Sequence, residues 1–156
     1  DNRLFLTPGD FPARIARFCV STGQKAPEGH GEIVRCILES LALKYRYTFE
    51  KLQLVLGCKL NRIYIVGGGS HNNLLNQFTA DATGVPVITG HPEATALGNF
   101  MLQLITLGEV GTLEESREII MKSFRSKTFE ACLLPGWDDA YERFLKVLKL
   151  SASSGK

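Results

Sequence analysis

Apolar residues recur along this chain at helical spacing over most of its length and run almost continuously in two short stretches, a pattern of helices interrupted by a small sheet. Residues 1–8 show no clear period, and Pro8-Gly9-Asp10 reads as a turn and N-cap before a short helix with Phe11, Ile15 and Phe18 on one face. Such an opening is what a cut inside something larger would leave. A polar connector from Lys25 to Gly31 follows, and then Ile33, Ile37, Leu41 and Tyr45, spaced by four, predict a long helix to about Gln53. Its apolar face is wide and is expected to be well buried. Gly57 and residues 59–61 end it, and Ile63, Ile65 and Val66 predict a strand of a parallel sheet covered on both faces. Leu74, Leu75, Phe78 and Ala82 predict a helix that Gly84 stops, and Val85-Pro86-Val87-Ile88 a second strand, completing a β-α-β unit. Pro86 has no N–H for a ladder, so this strand should lie at an edge or begin at the proline.

The remainder is helical. Pro92 at a first-turn position and Glu93 beside the positive helix end introduce a helix with Ala94, Leu97, Met101 and Leu104 on one face. Thr112 and Glu115 have capping-box spacing for a helix through about Phe124, and Asp138 and Asp139 start a last helix carrying Tyr141, Phe144, Leu145 and Leu148. Residues 151–156 are expected to form a disordered tail after one domain spanning residues 1–150. Neither internal repeats nor low-complexity segments occur.

Composition narrows the class without naming a chemistry. With 156 residues, 44% hydrophobic and 22% charged, the chain has the make-up of one soluble globular domain, expected in the cytoplasm. A formal charge of +2, evenly spread, argues against a nucleic-acid or anionic-membrane surface. The longest apolar runs fall well short of the roughly 18 to 20 residues that span a bilayer. Cys19, Cys36, Cys58 and Cys132 form no C-x-x-C pair and have no histidine at zinc-finger spacing, so free thiols are expected. Cys19 and Cys36 lie on consecutive predicted helices, which leaves a disulfide between them as the minor alternative.

The candidate chemistry is at Gly67, Gly68 and Gly69, between the first predicted strand and its helix. Glycines at that junction let backbone approach a phosphate or nucleotide closely, and unpaired N–H groups are available there. The dinucleotide fingerprint fails because Asn72 stands where its third glycine belongs and no acidic residue ends the next strand about 20 residues on. A Walker A loop fails for lack of Gly-Lys-Ser/Thr. What remains is glycine backbone beside a nucleotide, with the Asn72 amide one helical turn away, able to donate and accept hydrogen bonds to a base. The competing reading is three glycines forming a tight turn. Structural roles are expected for Asp81, Glu93, His71 and His91, and Trp137 is expected to anchor the last helix.

Four ordered blocks shift this balance. The run from Ile63 to Gln77 with Ala80-Asp81 and Gly84, the segment from Phe18-Cys19 through Pro27-Glu28 to Ala42, the run Pro92 to Asn99 and the run Gln103 to Gly108 together resemble the FGGY carbohydrate kinases over nearly all of residues 10–130. The resemblance implies an α/β actin-like ATPase (ribonuclease H-like) fold, of which this chain is a C-terminal lobe fragment, helix-rich with a small parallel sheet and incomplete. It implies ATP and Mg2+ as cofactors, the metal held mainly by ATP and the missing N-terminal lobe, and a ketose, L-rhamnulose being expected, as substrate. The nucleotide contact of the family's middle glycine falls on Gly68, flanked by Gly67 and Gly69, and its adenine-reaching amide on Asn72. The catalytic base and a phosphate-binding hairpin are expected upstream, so no residue here inherits a catalytic or metal role and the chain alone should be silent. A non-catalytic actin-like module binding nucleotide or a protein is the alternative of a different class.

Overall fold

The computed structural model describes residues 3–132 and 135–153. Asp10 caps helix α1 (Phe11–Ser21) as expected, its Oδ1 accepting from Ala13 N at 3.0 Å. The opening segment folds back on α1: a 3-10 turn (Arg3–Phe5) brings Phe5 within 5.6 Å of Phe18, and Arg14 donates to the carbonyls of Leu4, Thr7 and Pro8. No periodicity announces this because a single aromatic residue, Phe5, and the backbone contacts of Arg14 hold it.

Helix α2 (Gly29–Leu56) ends where Gly57 takes a left-handed conformation (φ 66°), which glycine adopts without steric cost. Strand β1 (Ile63–Ile65) leads through the glycines to α3 (Asn73–Thr83), which Gly84 closes in the same way, and β2 (Val87–Thr89) pairs parallel to β1 with Tyr64 opposite Ile88. The β-α-β unit is as expected. Pro86 directly precedes β2, which is the central strand: its carbonyl accepts from Ile63 N at 3.0 Å, and its missing N–H falls outside the ladder. Helices α4 (Ala94–Leu107) and α5 (Leu113–Ser123) follow, then β3 (Thr128–Phe129) and α6 (Trp137–Ser153). The last helix thus continues into the expected tail, of which residues 154–156 lie outside the described residues.

Four expectations are corrected. The sheet is mixed, because β3 pairs antiparallel to β2; a two-residue strand has no period to read. β1 is covered on one face only, with Tyr64 61% exposed. The α2 stripe is not well buried: Ile37, Leu41 and Tyr45 are 39%, 40% and 41% exposed, whereas Leu38 and Ala42 meet α3. Alanines at 42 and 82, both buried, let the helices approach closely around Leu75, with Phe78 and Trp137 closing the cluster. Finally α4 begins at Ala94, so Pro92 precedes the helix and Glu93 is its N-cap without a side-chain cap bond.

Candidate functional site

β1 delivers its chain to Gly67, whose φ of 76° and ψ of −164° disfavour any residue with a Cβ. Gly67 N donates to His91 O at 3.3 Å, tying this turn to the segment after β2. Ser70 then returns on Gly67, its N and Oγ donating to Gly67 O at 3.0 and 2.7 Å. Gly68 to His71 form a single 3-10 turn, and Asn72 N closes it on Gly69 O at 3.2 Å. The glycines therefore do not open the amphipathic helix directly. α3 starts after Asn72, whose Oδ1 accepts from Leu75 N at 3.0 Å as an N-cap.

The three glycines differ physically. Gly67 has its positive φ, and a Cβ on Gly69 would sit 3.6 Å from Ile65 Cγ2 in ordinary contact. Gly68 has neither constraint: its φ is not left-handed, and a Cβ there would meet nothing within 4 Å. A tight turn accounts for Gly67 and leaves Gly68 unexplained. Among the described residues, the N–H groups of Gly68 and Gly69 have no carbonyl acceptor, as the first donors of a 3-10 turn must. Exposed, uncrowded and donor-rich, this backbone suits an anion or a nucleotide.

Asn72 lies at the exposed end of the same turn. The cap takes one lone pair of its Oδ1, which leaves the second lone pair and the Nδ2 hydrogens for a ligand. Two residues on, Leu74 enters an open groove of about 530 Å³ between the first turns of α2 and α3, lined also by His30, Gly31, Val34, Arg35 and Phe78. Sequence reasoning missed this wall, since Val34 and Arg35 lie off the α2 stripe. It also passed over Asn76, which is wholly buried below the turn.

The other singled-out residues take structural positions. Asp81 Oδ1 accepts from Cys132 N at 2.8 Å and from Gln77 Nε2 at 2.8 Å, anchoring the chain after β3. His91 Nδ1 accepts from Glu93 N at 3.0 Å, and its ring lies 4.2 Å from that of Phe124. The Trp137 ring meets Phe78 edge-on at 5.5 Å, docking α6. All four cysteines are free; burial and then the neighbouring Cys36 thiol push the Cys19 thiol above its ordinary range. Among the described residues no group of three or more His, Cys, Asp or Glu side chains is placed to hold a metal ion, and no helix is long and apolar enough to cross a membrane.

A β-α-β unit whose glycine turn presents free backbone donors can accept an anion or a nucleotide, and comparison with known families supplies its class. This chain belongs to the FGGY family of carbohydrate kinases, whose C-terminal domain matches residues 1–107. Its fold is accordingly that of the actin-like ATPases. Among individual relatives, the rhamnulokinase of Bacteroides thetaiotaomicron is 44% identical over 149 residues, 96% of this chain and 31% of the relative. The rhamnulokinase of Enterococcus faecalis is 39% identical over 145 residues, 91% of this chain and 29% of the relative. That of Klebsiella pneumoniae subsp. pneumoniae is 38% identical over 141 residues, 90% of this chain and 28% of the relative. The chain thus spans less than a third of these relatives' length.

Proposed function

We propose that this chain forms the adenosine side of an ATP-dependent carbohydrate kinase that converts L-rhamnulose to L-rhamnulose 1-phosphate. The observation that carries the reading is Gly68: an exposed glycine that neither backbone conformation nor internal packing requires, with its N–H free. A side chain there would stand where a nucleotide must approach the turn. Gly67 supplies the bend, Gly69 a second donor, and Asn72 Nδ2 a donor for a ring nitrogen of adenine. The apolar groove along Val34, Leu74 and Phe78 offers the base a surface to lie against.

Phosphoryl transfer needs the sugar hydroxyl, a base, a metal and the phosphates held together. This chain contributes the hold on the nucleotide, which fixes where its phosphates lie relative to the acceptor. ATP fits the turn's exposed donors. Magnesium, which would neutralise phosphate charge, has no side chain assigned to it here. The acceptor follows the relatives, which are named rhamnulokinases.

The test is a kinase assay of the full-length polypeptide that carries this chain, with ATP and a panel of ketoses. L-rhamnulose should be the best acceptor, and Gly68→Val should raise the KM for ATP about tenfold or more, the change expected when roughly 1.4 kcal/mol of nucleotide binding is lost. An unchanged KM and turnover in Gly68→Val would remove the glycine turn from the nucleotide site. Nucleotide binding without phosphorylation of any ketose would favour the non-catalytic module instead.

A further inference from the structure

Asn76, on the second turn of α3, is the most conflicted residue among those described. It is 0% exposed, its Nδ2 donates to Ser70 O at 3.1 Å, and its Oδ1 is buried with no hydrogen-bond partner. Buried polar atoms are nearly always satisfied, and an apolar side chain of similar volume would avoid the conflict altogether. Local conflicts of this kind concentrate where function demands them. The orphaned atom belongs to the residue lying directly under the glycine turn.

What Asn76 holds explains why. Its amide fixes the carbonyl of Ser70, and Ser70 in turn fixes the carbonyl of Gly67 through both its N and its Oγ. Among the described residues no peptide bond is cis, and in a planar trans peptide the C=O of one residue and the N–H of the next point in opposite directions. Pinning Gly67 O toward Ser70 therefore aims Gly68 N–H away from it. We propose that Asn76 is a positioning residue for the nucleotide: through Ser70 and Gly67 it sets the direction of the Gly68 N–H, and its unmet acceptor is the cost of that arrangement. The inference rests on the glycine turn being a nucleotide contact.

The experiment compares Asn76→Leu and Gly68→Val with the parent in the full-length polypeptide, measuring KM for ATP and L-rhamnulose, kcat, the Kd for ADP and the melting temperature. Asn76→Leu removes the orphaned atom and the hold on Ser70 together. It should leave the melting temperature unchanged or higher, weaken ADP and raise the KM for ATP by roughly tenfold, as expected for the loss of an ordered backbone contact, and leave the KM for L-rhamnulose within about twofold. Asn76→Ala, which adds no bulk, is measured in the same way if the leucine variant does not fold. ADP Kd and ATP KM within twofold of the parent in a folded variant overturn the inference, as does a lowered melting temperature with unchanged nucleotide binding. If Gly68→Val also binds ADP as the parent does, the nucleotide reading of the turn falls and the inference falls with it. If Gly68→Val is impaired while the Asn76 variants are not, only the role of Asn76 is lost.

Discussion

Asn72 has two tasks that substitution can separate. Its Oδ1 caps α3, while its Nδ2 is the atom proposed to reach adenine. Asn72→Asp keeps a good capping acceptor and removes the donor, so the melting temperature should hold while the KM for ATP rises severalfold. Asn72→Ala loses both, and α3 should be destabilised by about 1 kcal/mol in addition. Thermal melts alongside ATP titrations check the pair; equal loss of stability in both variants would mean the cap geometry is wrong. Asn72 and the glycines were legible because their spacing after a strand carries the signal. Asn76 was not, since neither burial nor an unmet acceptor is written in a residue's identity.

At the scale of elements, the terminations were the most legible. Asp10, Gly57, Gly84 and Thr112 act through bonds to residues a few positions away, and each does so here: Thr112 Oγ1 accepts from Glu115 N at 3.1 Å, for example. The capping box is only half formed, because Glu115 Oε2 accepts from Gly111 N and not from Thr112. Contacts between elements were not legible. α6 is clasped to α2 by Arg46, which bonds Glu50 at 3.0 Å and Asp138 at 2.7 Å, and by Tyr141, whose hydroxyl donates to Glu50 Oε2 at 2.6 Å beneath the Arg46 guanidinium. Burial first, then the Glu50 hydrogen bond and charge, hold the Tyr141 hydroxyl well above its ordinary ionisation range. The folded state therefore keeps this proton more tightly than the unfolded chain. Its contribution is complete below about pH 10, the unfolded value, and declines as the pH rises beyond it. Tyr141→Phe should be less stable at neutral pH, and the gap to the parent should narrow in denaturant melts from pH 9 to pH 11. A gap that stays constant or widens would contradict the burial and bonding of this hydroxyl.

For the whole molecule, the α2 stripe and the exposed face of β1 are the surprises. The spacing of Ile33, Ile37, Leu41 and Tyr45 correctly announces a helix, yet α3 packs beside that stripe on Leu38 and Ala42, leaving Ile37, Leu41 and Tyr45 partly exposed. Period alone identifies an amphipathic helix but not which part of a broad apolar face a neighbour covers. Under the proposed function this chain handles nucleotide and carries no catalytic base. Incubated alone with ATP, Mg2+ and the ketose panel, it should form no sugar phosphate above background. Phosphorylation of any ketose by the chain alone would overturn that division of labour.

The sequence by itself determined the main helices and most of their ends, the β-α-β unit and the family, because each is written in short-range spacing or in ordered motifs. Only the tertiary structure decided that β2 is central, that a third strand runs antiparallel to it, and that Gly68 is free of the packing that would otherwise explain it. It also revealed the buried amide beneath the turn. These depend on which distant segments meet: β3 joins the sheet through Thr89 N donating to Lys127 O at 2.8 Å, a contact 38 residues apart that no local pattern encodes.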